Sequence, residues 1–390
     1  MLRFKQFIAE GFDYLFEAKK SDTTSDAAAD ENKNADNPKG VAYEIDTGNA
    51  IKGMTVGGEM THHRANAREV GGREVGGHPK QVRKKIAGMI GPKASKQVKE
   101  HSTQAAEALI NHLTKTGKIG GKSGNKVQDV FWTSNRDTVN KKGEKTSGDH
   151  HKTTGIHDPN SNADIIIRTK NTKTGKVDHV PMSLKYGVTK NPNYRNAGLD
   201  SLEKQAGVKE GTYTNIMKDH NAATEKMGYK GSQKERHAQY KLDVAQRKVS
   251  PKSKAAKRAD AAEASSLESR KKIAAIHRTA LSTKSDSELR DLIRSNVSAK
   301  TVIPHMVMHT HVASDGSVTH HIHDADHLVE NHLAQHKDLH VKPNGDGISV
   351  TIHGTHKKTG KVVPVATQTI KASSGPHKGA AGTFSLPNAT

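Results

Sequence analysis

Ile165-Ile166-Ile167 is the segment with the least conformational freedom in this 390-residue chain. Three consecutive β-branched side chains lose rotamer freedom in a helix and pack well on a pleated surface, so the run predicts a strand. Asn171 to Gly175 supplies turn residues, and Val177 to Tyr186 returns as a second strand, ending Pro181-Met182-Ser183-Leu184-Lys185-Tyr186. Two such strands joined by a short turn read as a β-hairpin. Alternation along the second strand places Ser183 and Lys185 on one face. The hairpin then brings that face beside Asp164, at the mouth of the first strand.

A carboxylate near a main-chain carbonyl can hold Mg²⁺ through hard oxygens. Such an ion polarises a phosphodiester and lowers the pKa of an attacking water. A neighbouring Lys can orient that water and offset developing negative charge. In this arrangement Asp164 is the metal ligand, the carbonyl of Leu184 a second ligand, and Lys185 the catalytic base or water-positioning group. The plainer alternative is a structural hairpin whose Lys belongs to a basic surface.

Asn162-Ala163-Asp164 and Ser183-Leu184-Lys185 resemble the second and third elements of the PD-(D/E)xK nuclease superfamily. In that fold a helix carries an acidic residue, and a hairpin then carries Asp and (Glu/Asp/Gln/Ser)-x-Lys. The resemblance covers residues 130–190 in detail and extends to about 80–215 with the flanking helices. It implies an α+β fold with a restriction-endonuclease-like mixed sheet flanked by helices. It also implies Mg²⁺, with Mn²⁺ as an alternative, and endo- or exodeoxyribonuclease activity. Glu107, in the helix predicted over 79–115, is the candidate for the helical acid, and Gln205 for a later polar position. The chain departs from the pattern in two places. Ser183 stands where a second acid is usual, which removes a metal ligand and puts two-metal catalysis in doubt. No Pro precedes Asp164, although Asp158-Pro159 lies upstream.

Charge points to the same partner. Lys and Arg number 62 against 41 Asp and Glu, a formal net charge of +21. Such a field favours polyanions, nucleic acid first and acidic membrane second. Hydrophobic residues make up 32% and aromatics 4%, so the core must be small for the length and parts of the chain solvated. No apolar run approaches the ~18 residues that span a bilayer, and no membrane partner is expected. The absence of Cys excludes disulfides, thiol catalysis and Cys-type zinc fingers. Residues 199–295 read as basic helices, broken near Ser282 to Ser285. Lys254, Lys257, Arg258, Lys271 and Lys272 are the candidate phosphate contacts; the alternative is a solvated helix face. Ten histidines crowd between His305 and His340. His309 and His311 should share a strand face, in a hairpin around Asp315-Gly316, and His332 and His336 stand at i, i+4 on a helix. No Glu has the spacing of a zinc protease, and zinc is not expected. Protonation of these imidazoles should tighten DNA binding below pH ~6.5.

The N-terminus opens MLRFKQFIAEGFDYLFEAKK, with Phe4, Phe7, Ile8, Phe12, Leu15 and Phe16 at helical steps. A polar stretch follows. The pattern fits a docking tag on a tether, or a terminal helix that packs on its own domain. MLRFKQFIAEG resembles the capsid-targeting peptide of internal head proteins in T-even-type tailed phages. In that family a prohead protease cuts after Glu in a Leu/Ile-x-Glu motif, usually before a small residue. Ile8-Ala9-Glu10 before Gly11 and Leu15-Phe16-Glu17 before Ala18 both match, so Glu10 and Glu17 are the expected cleavage sites. The resemblance implies the phage prohead scaffold and prohead protease as partners, and location in the virion, inside the head, with entry to the host cytoplasm if the protein is injected.

The expected organisation is a targeting peptide over 1–20, a flexible linker over 21–78 and a nuclease-like core over 79–215. A basic helical insertion over 216–300 follows, then a His-rich β-containing part over 301–390 that completes the sheet. The expected function is Mg²⁺-dependent phosphodiester hydrolysis of DNA by a head-packaged nuclease. The alternative is a non-catalytic internal head protein that binds or condenses packaged DNA. Only Asp164 with Ser183-x-Lys185 separates the two.

Overall fold

The computed structural model describes residues 38–63, 69–70, 73–74, 77–120, 123–133, 137–139, 143–188, 193–298, 301–345, 347–372, 375–377 and 379–387. The N-terminal peptide with Glu10 and Glu17 lies outside the described residues. Helix α1 (Pro38–Thr55) precedes the short strands β1 (Thr61–His62), β2 (Glu69–Val70) and β3 (Arg73–Glu74), then α2 (Pro79–Lys115) and β4 (Asn125–Trp132). The strands β5 (Thr138–Val139) and β6 (Lys145–Thr146) and helix α3 (Asp149–Thr154) lead into β7 (Ile165–Asn171) and β8 (Val177–Gly187). Strand β9 (Asn193–Gly198) opens a helical segment of α4 (Leu199–Ala206), α5 (Thr212–Lys226), α6 (Gln233–Val249), α7 (Lys254–Ser282) and α8 (Asp286–Val297). The chain continues through β10 (Met306–Val312), β11 (Val318–Asp324), α9 (Ala325–Ala334), β12 (His336–Val341), β13 (Ser349–His356), β14 (Val362–Ala372) and β15 (Ala380–Ser385).

The class is α+β, with a mixed sheet flanked by helices. That sheet runs β1-β4-β7-β8-β10-β11. The hairpin read from the isoleucine run is its centre, with Ile165 opposite Met182 and Ile167 opposite Val180. Strand β10 runs parallel to β8, and parallel neighbours require a long crossover. Strand β9 and helices α4 to α8 carry the chain from β8 back to the start of β10, a crossover that takes in the insertion expected over 216–300 together with residues 193–215, expected in the core.

Two corrections concern the organisation. Residues 38–55, assigned to a flexible linker, form a helix whose Val41, Tyr43, Ile45 and Ile51 are buried. Apolar residues at helical spacing decide this, and averaging over a Gly- and His-rich stretch hides them. The His-rich part does not complete one sheet. Only β10 and β11 join the first sheet; β12-β13-β14-β15-β9 form a second one. Gln205 belongs there too, donating to Asn296 at 3.2 Å and accepting from Gln368 at 3.3 Å.

Helices α1 and α2 cover one face of the first sheet. Tyr43, Ile45, Leu109 and Leu113 pack there with Trp132, Ile165, Met182 and Met308. Helix α2 breaks at Gly91, in the left-handed region at φ 77°, followed by Pro92. Arg83 in its first half therefore reaches Ser95 in its second, donating to the hydroxyl at 3.0 Å. Close approach of α1 depends on Gly48: a Cβ there would overlap the Met60 sulfur and lie 3.4 Å from Ile165 Cγ2. We expect Gly48→Val to lower stability by about 2–4 kcal/mol, the scale of overpacking a core with little room to relax. A chemical denaturation midpoint equal to wild type would contradict this.

The second core joins α4, α5, α7, α8 and α9 to the second sheet. Two buried histidines there and in the adjoining small cluster set its acid limit. His277 Nε2 donates to Gln368 Oε1 at 2.7 Å, which leaves Nδ1 of the neutral ring to accept from Tyr213 Oη at 3.1 Å, and burial lowers its pKa to about 4. His377 is 1% exposed, with Tyr229 at 4.5 Å and His220 at 6.3 Å between ring centroids. Burial first, then the charges of His220 and Arg236, lower it to about 4 as well. An unfolded imidazole titrates near 6.5, so the unfolded state takes up protons first. Stability is full above about pH 6.5 and falls as pH drops toward about 4, on the order of 3 kcal/mol for each group. His277→Gln and His377→Gln should each flatten that slope in denaturant titrations across the range.

Candidate active site

Asp164 stands one residue before β7, directly across from Ser183. Its backbone N–H donates to the Met182 carbonyl at 2.7 Å, and its own carbonyl accepts from Thr133 N–H at 3.0 Å. The side chain is held on the strand face that alternation predicts. Its Oδ2 accepts from Leu184 N–H at 2.6 Å and from the Ser183 hydroxyl at 3.2 Å. Lys185 Nζ lies 3.6 Å from the same oxygen. Asp164 is 23% and Lys185 26% exposed, so the pair is shielded yet reachable. The three residues named from sequence are thus brought together on one oxygen, and Oδ1 stays outside these contacts.

The residues can be tested for a divalent cation. In an extended strand, a residue's N–H and C=O lie on the same edge. Leu184 N–H points to Asp164, so the Leu184 carbonyl faces the same side, just past the end of β7. Asp164 Oδ1 and that carbonyl are two hard oxygens of the kind Mg²⁺ takes, one carboxylate with substrate phosphates and waters completing the shell. The fit is to a cation shared with substrate. Among the described residues no three His, Asp or Glu side chains converge as a metal-holding group.

The polar approach to Asp164 folds around a residue that sequence reading passed over. Asp137 is 2% exposed. Its Oδ1 accepts from Gly148 N–H at 2.6 Å and His151 N–H at 3.3 Å, and its Oδ2 from Asp158 N–H at 2.7 Å. Asp158 in turn accepts from Asn160 N–H at 3.0 Å and Val302 N–H at 2.8 Å. Helix α3, anchored by this knot, lies against the Asp164 face of the sheet: Arg168 donates to the Thr153 carbonyl at 2.6 Å and stacks over Phe131 at 4.6 Å. Residues 143–163 with helix α3 therefore form a hydrogen-bonded cover on this face.

Glu107 is not part of the site. It is exposed on the outer side of α2, because Ala105, Ala106 and Leu109 take the buried side. Helix α1 lies on the other, apolar face of the sheet, with Trp132, Ile165 and Met182. Its Glu44 accepts from Trp132 Nε1 at 3.3 Å, and Trp132 is the register partner of Ile165.

The basic candidates divide. Lys254, Lys257 and Lys272 are exposed on α7, and Lys271 is half-buried. Arg258 is committed elsewhere. It donates to both oxygens of Asp243, at 2.6 and 2.7 Å, and lies 5.1 Å over the Tyr229 ring. His332 and His336 bond backbone carbonyls, of Val365 and of His332 respectively, both at 2.8 Å. His309 and His311 share a face as expected, their rings 6.2 Å apart. His305 is buried, and burial first, the Lys185 charge second, push it below the usual imidazole range. No helix among the described residues is long and apolar enough to cross a membrane.

No protein-family model and no curated protein matches the chain. Among solved structures it is similar to the restriction endonuclease MspI in complex with its cognate DNA, at 12% identity and a TM-score of 0.31, over 75% of this chain and 82% of that one.

Proposed function

We propose that the protein is a metal-dependent DNA nuclease of the PD-(D/E)xK kind. The observation that carries the reading is the convergence of Ser183, Leu184 N–H and Lys185 on one oxygen of Asp164. A hairpin that served packing alone has no use for a carboxylate fixed in this way beside an ammonium group. Leu184 N–H and the Ser183 hydroxyl orient the carboxylate, so that Oδ1 and the Leu184 carbonyl are presented together. When bound there, Mg²⁺ or Mn²⁺ supplies charge to the scissile phosphate and acidifies a bound water. Lys185 positions the attacking water and offsets the charge that develops on the phosphate oxygens. Exposed Lys254, Lys257 and Lys272 hold DNA through its phosphates, and the net charge of +21 makes that binding strongly salt-dependent and largely indifferent to sequence.

The reading extends to location. The N-terminal peptide directs the protein into a phage head, where the prohead protease cuts after Glu10, Glu17 or both. What supports this is the paired Leu/Ile-x-Glu motifs in an amphipathic N-terminus. Terminal mass analysis of particles would show the processed ends, and an intact Met1 in mature heads would overturn it. The enzymatic reading is tested with purified protein and supercoiled plasmid. Nicking or degradation should appear with Mg²⁺ or Mn²⁺ and vanish with a chelator. Tight binding with no cutting under either ion would leave a non-catalytic DNA-binding protein instead.

A further inference from the structure

The sheet face that carries Asp164 continues beyond the site. Register places Val307 and His309 of β10 beside Ser183 and Lys185 of β8. It places His323 and His321 of β11 beside that pair, with His311 opposite Thr319. Three neighbouring strands thus present Lys185, His309, His311, His321 and His323 on one face, and no carboxylate of these strands shares it. The other face of the same strands is apolar, with Met182, Leu184, Met306, Met308 and Ile322 turned to the core. The rings form a continuous row: His309 to His311 is 6.2 Å, His309 to His321 is 6.4 Å, and His321 to His323 is 6.4 Å between centroids. His309 is buried in the row, while His311, His321 and His323 are half-exposed.

Like charges directly opposite one another destabilise a sheet, and His309 faces His321 across β10 and β11. Once protonated, the row needs anionic charge from outside these strands. Lys185 faces it from β8. Beyond Lys185 stands the Asp164 carboxylate, and near the other end stand Asp324, next in the chain to His323, His327 of α9 and His112 of α2. Asp324 is engaged as the cap of α9, accepting from the N–H groups of Asp326 and His327 at 3.0 and 3.2 Å. A row of imidazoles that begins at the proposed catalytic pair and meets so little fixed negative charge is complementary to a phosphate backbone.

We infer that the face of β8, β10 and β11 is the track for the DNA phosphate backbone leaving the Asp164 site, and that its hold on DNA strengthens as its imidazoles take up protons. The inference rests on the nuclease reading for where the DNA lies, not for the chemistry done on it. The test is equilibrium binding of a short DNA duplex to the full chain in chelator, from about pH 7.5 to about pH 5.5, across the imidazole range. Wild type should tighten by about tenfold or more, as added phosphate contacts do. The pair His311→Gln with His321→Gln should keep wild-type affinity at the upper pH and lose most of the gain. The pair His311→Lys with His321→Lys should bind tightly at both ends. A Gln pair that keeps the full pH slope overturns the inference. Mg²⁺-dependent cutting is measured beside it. If cutting needs Asp164 while the slope ignores the histidines, the track is wrong and the nuclease reading stands. If the slope follows the histidines but nothing is cut, the track stands and the nuclease reading falls.

Discussion

Asp164→Asn should abolish Mg²⁺-dependent cleavage, by about 10³-fold or more, and leave DNA binding within a few-fold of wild type. The size follows from what one carboxylate oxygen does in the proposed site. Stabilisation of transition-state charge by a bound cation amounts to several kcal/mol, and each 1.36 kcal/mol is tenfold in rate. Asn keeps the shape and can still accept from Leu184 N–H, so the strand pairing that holds β7 to β8 is preserved. Lys185→Ala removes one preorganised donor and should cost about 10²–10³-fold. Ser183→Ala removes a hydrogen bond from an uncharged donor at 3.2 Å and should cost about tenfold or less. That ranking, Asp over Lys over Ser, is the signature of the arrangement. Equal small losses in all three would mean that the hairpin supports DNA binding and not hydrolysis. Glu107→Gln, at an exposed position on α2, should leave cleavage unchanged.

The part of this site that could be read from sequence is the part fixed by local rules. The three isoleucines force β7, the turn residues force the return, and period-two alternation then delivers Ser183 and Lys185 to Asp164. No contact distant in sequence is needed. The same holds for α7 and α8, whose break coincides with the Ser285–Glu288 capping box, and for the hairpin around Asp315-Gly316. What could not be read is which elements meet at long range. Glu107 and Glu44 both sit in helical stripes. Only the packing of α1 and α2 on the apolar face of the sheet decides that Glu44 bonds Trp132 and Glu107 faces solvent. Arg258 illustrates the same limit, since its partner Asp243 lies on a separate helix and turns an apparent DNA contact into a structural bond. The second sheet was invisible for a further reason. Strands β12 to β15 form one sheet with β9, far earlier in the chain, and the β-character of 301–390 says nothing about which sheet receives each strand.

Asp137→Ala should be the most damaging single change outside the hairpin. The carboxylate accepts three backbone N–H groups, from Gly148, His151 and Asp158, in a place where it is 2% exposed. Removing it strands buried donors, each at a cost of about 1–3 kcal/mol, so the loss is on the order of 4 kcal/mol. Asp158 loses its anchor and with it the link to Val302, just before β10 begins. The stretch that delivers the chain to Asp164 is then held at one end only. Cleavage should fall with it, by weakened positioning of Asp164 and not by any change in the chemistry of the site. Asp137→Asn retains one accepting oxygen and should fall between Ala and wild type. Amide exchange separates this from general unfolding. Protection should drop first at Gly148, His151 and Asp158, while Ile165 to Ile167, in the centre of the sheet, stay protected under conditions where the protein remains folded. Unchanged protection at those three amides, or an unchanged denaturation midpoint, would remove Asp137 from the role of organising the approach to the site.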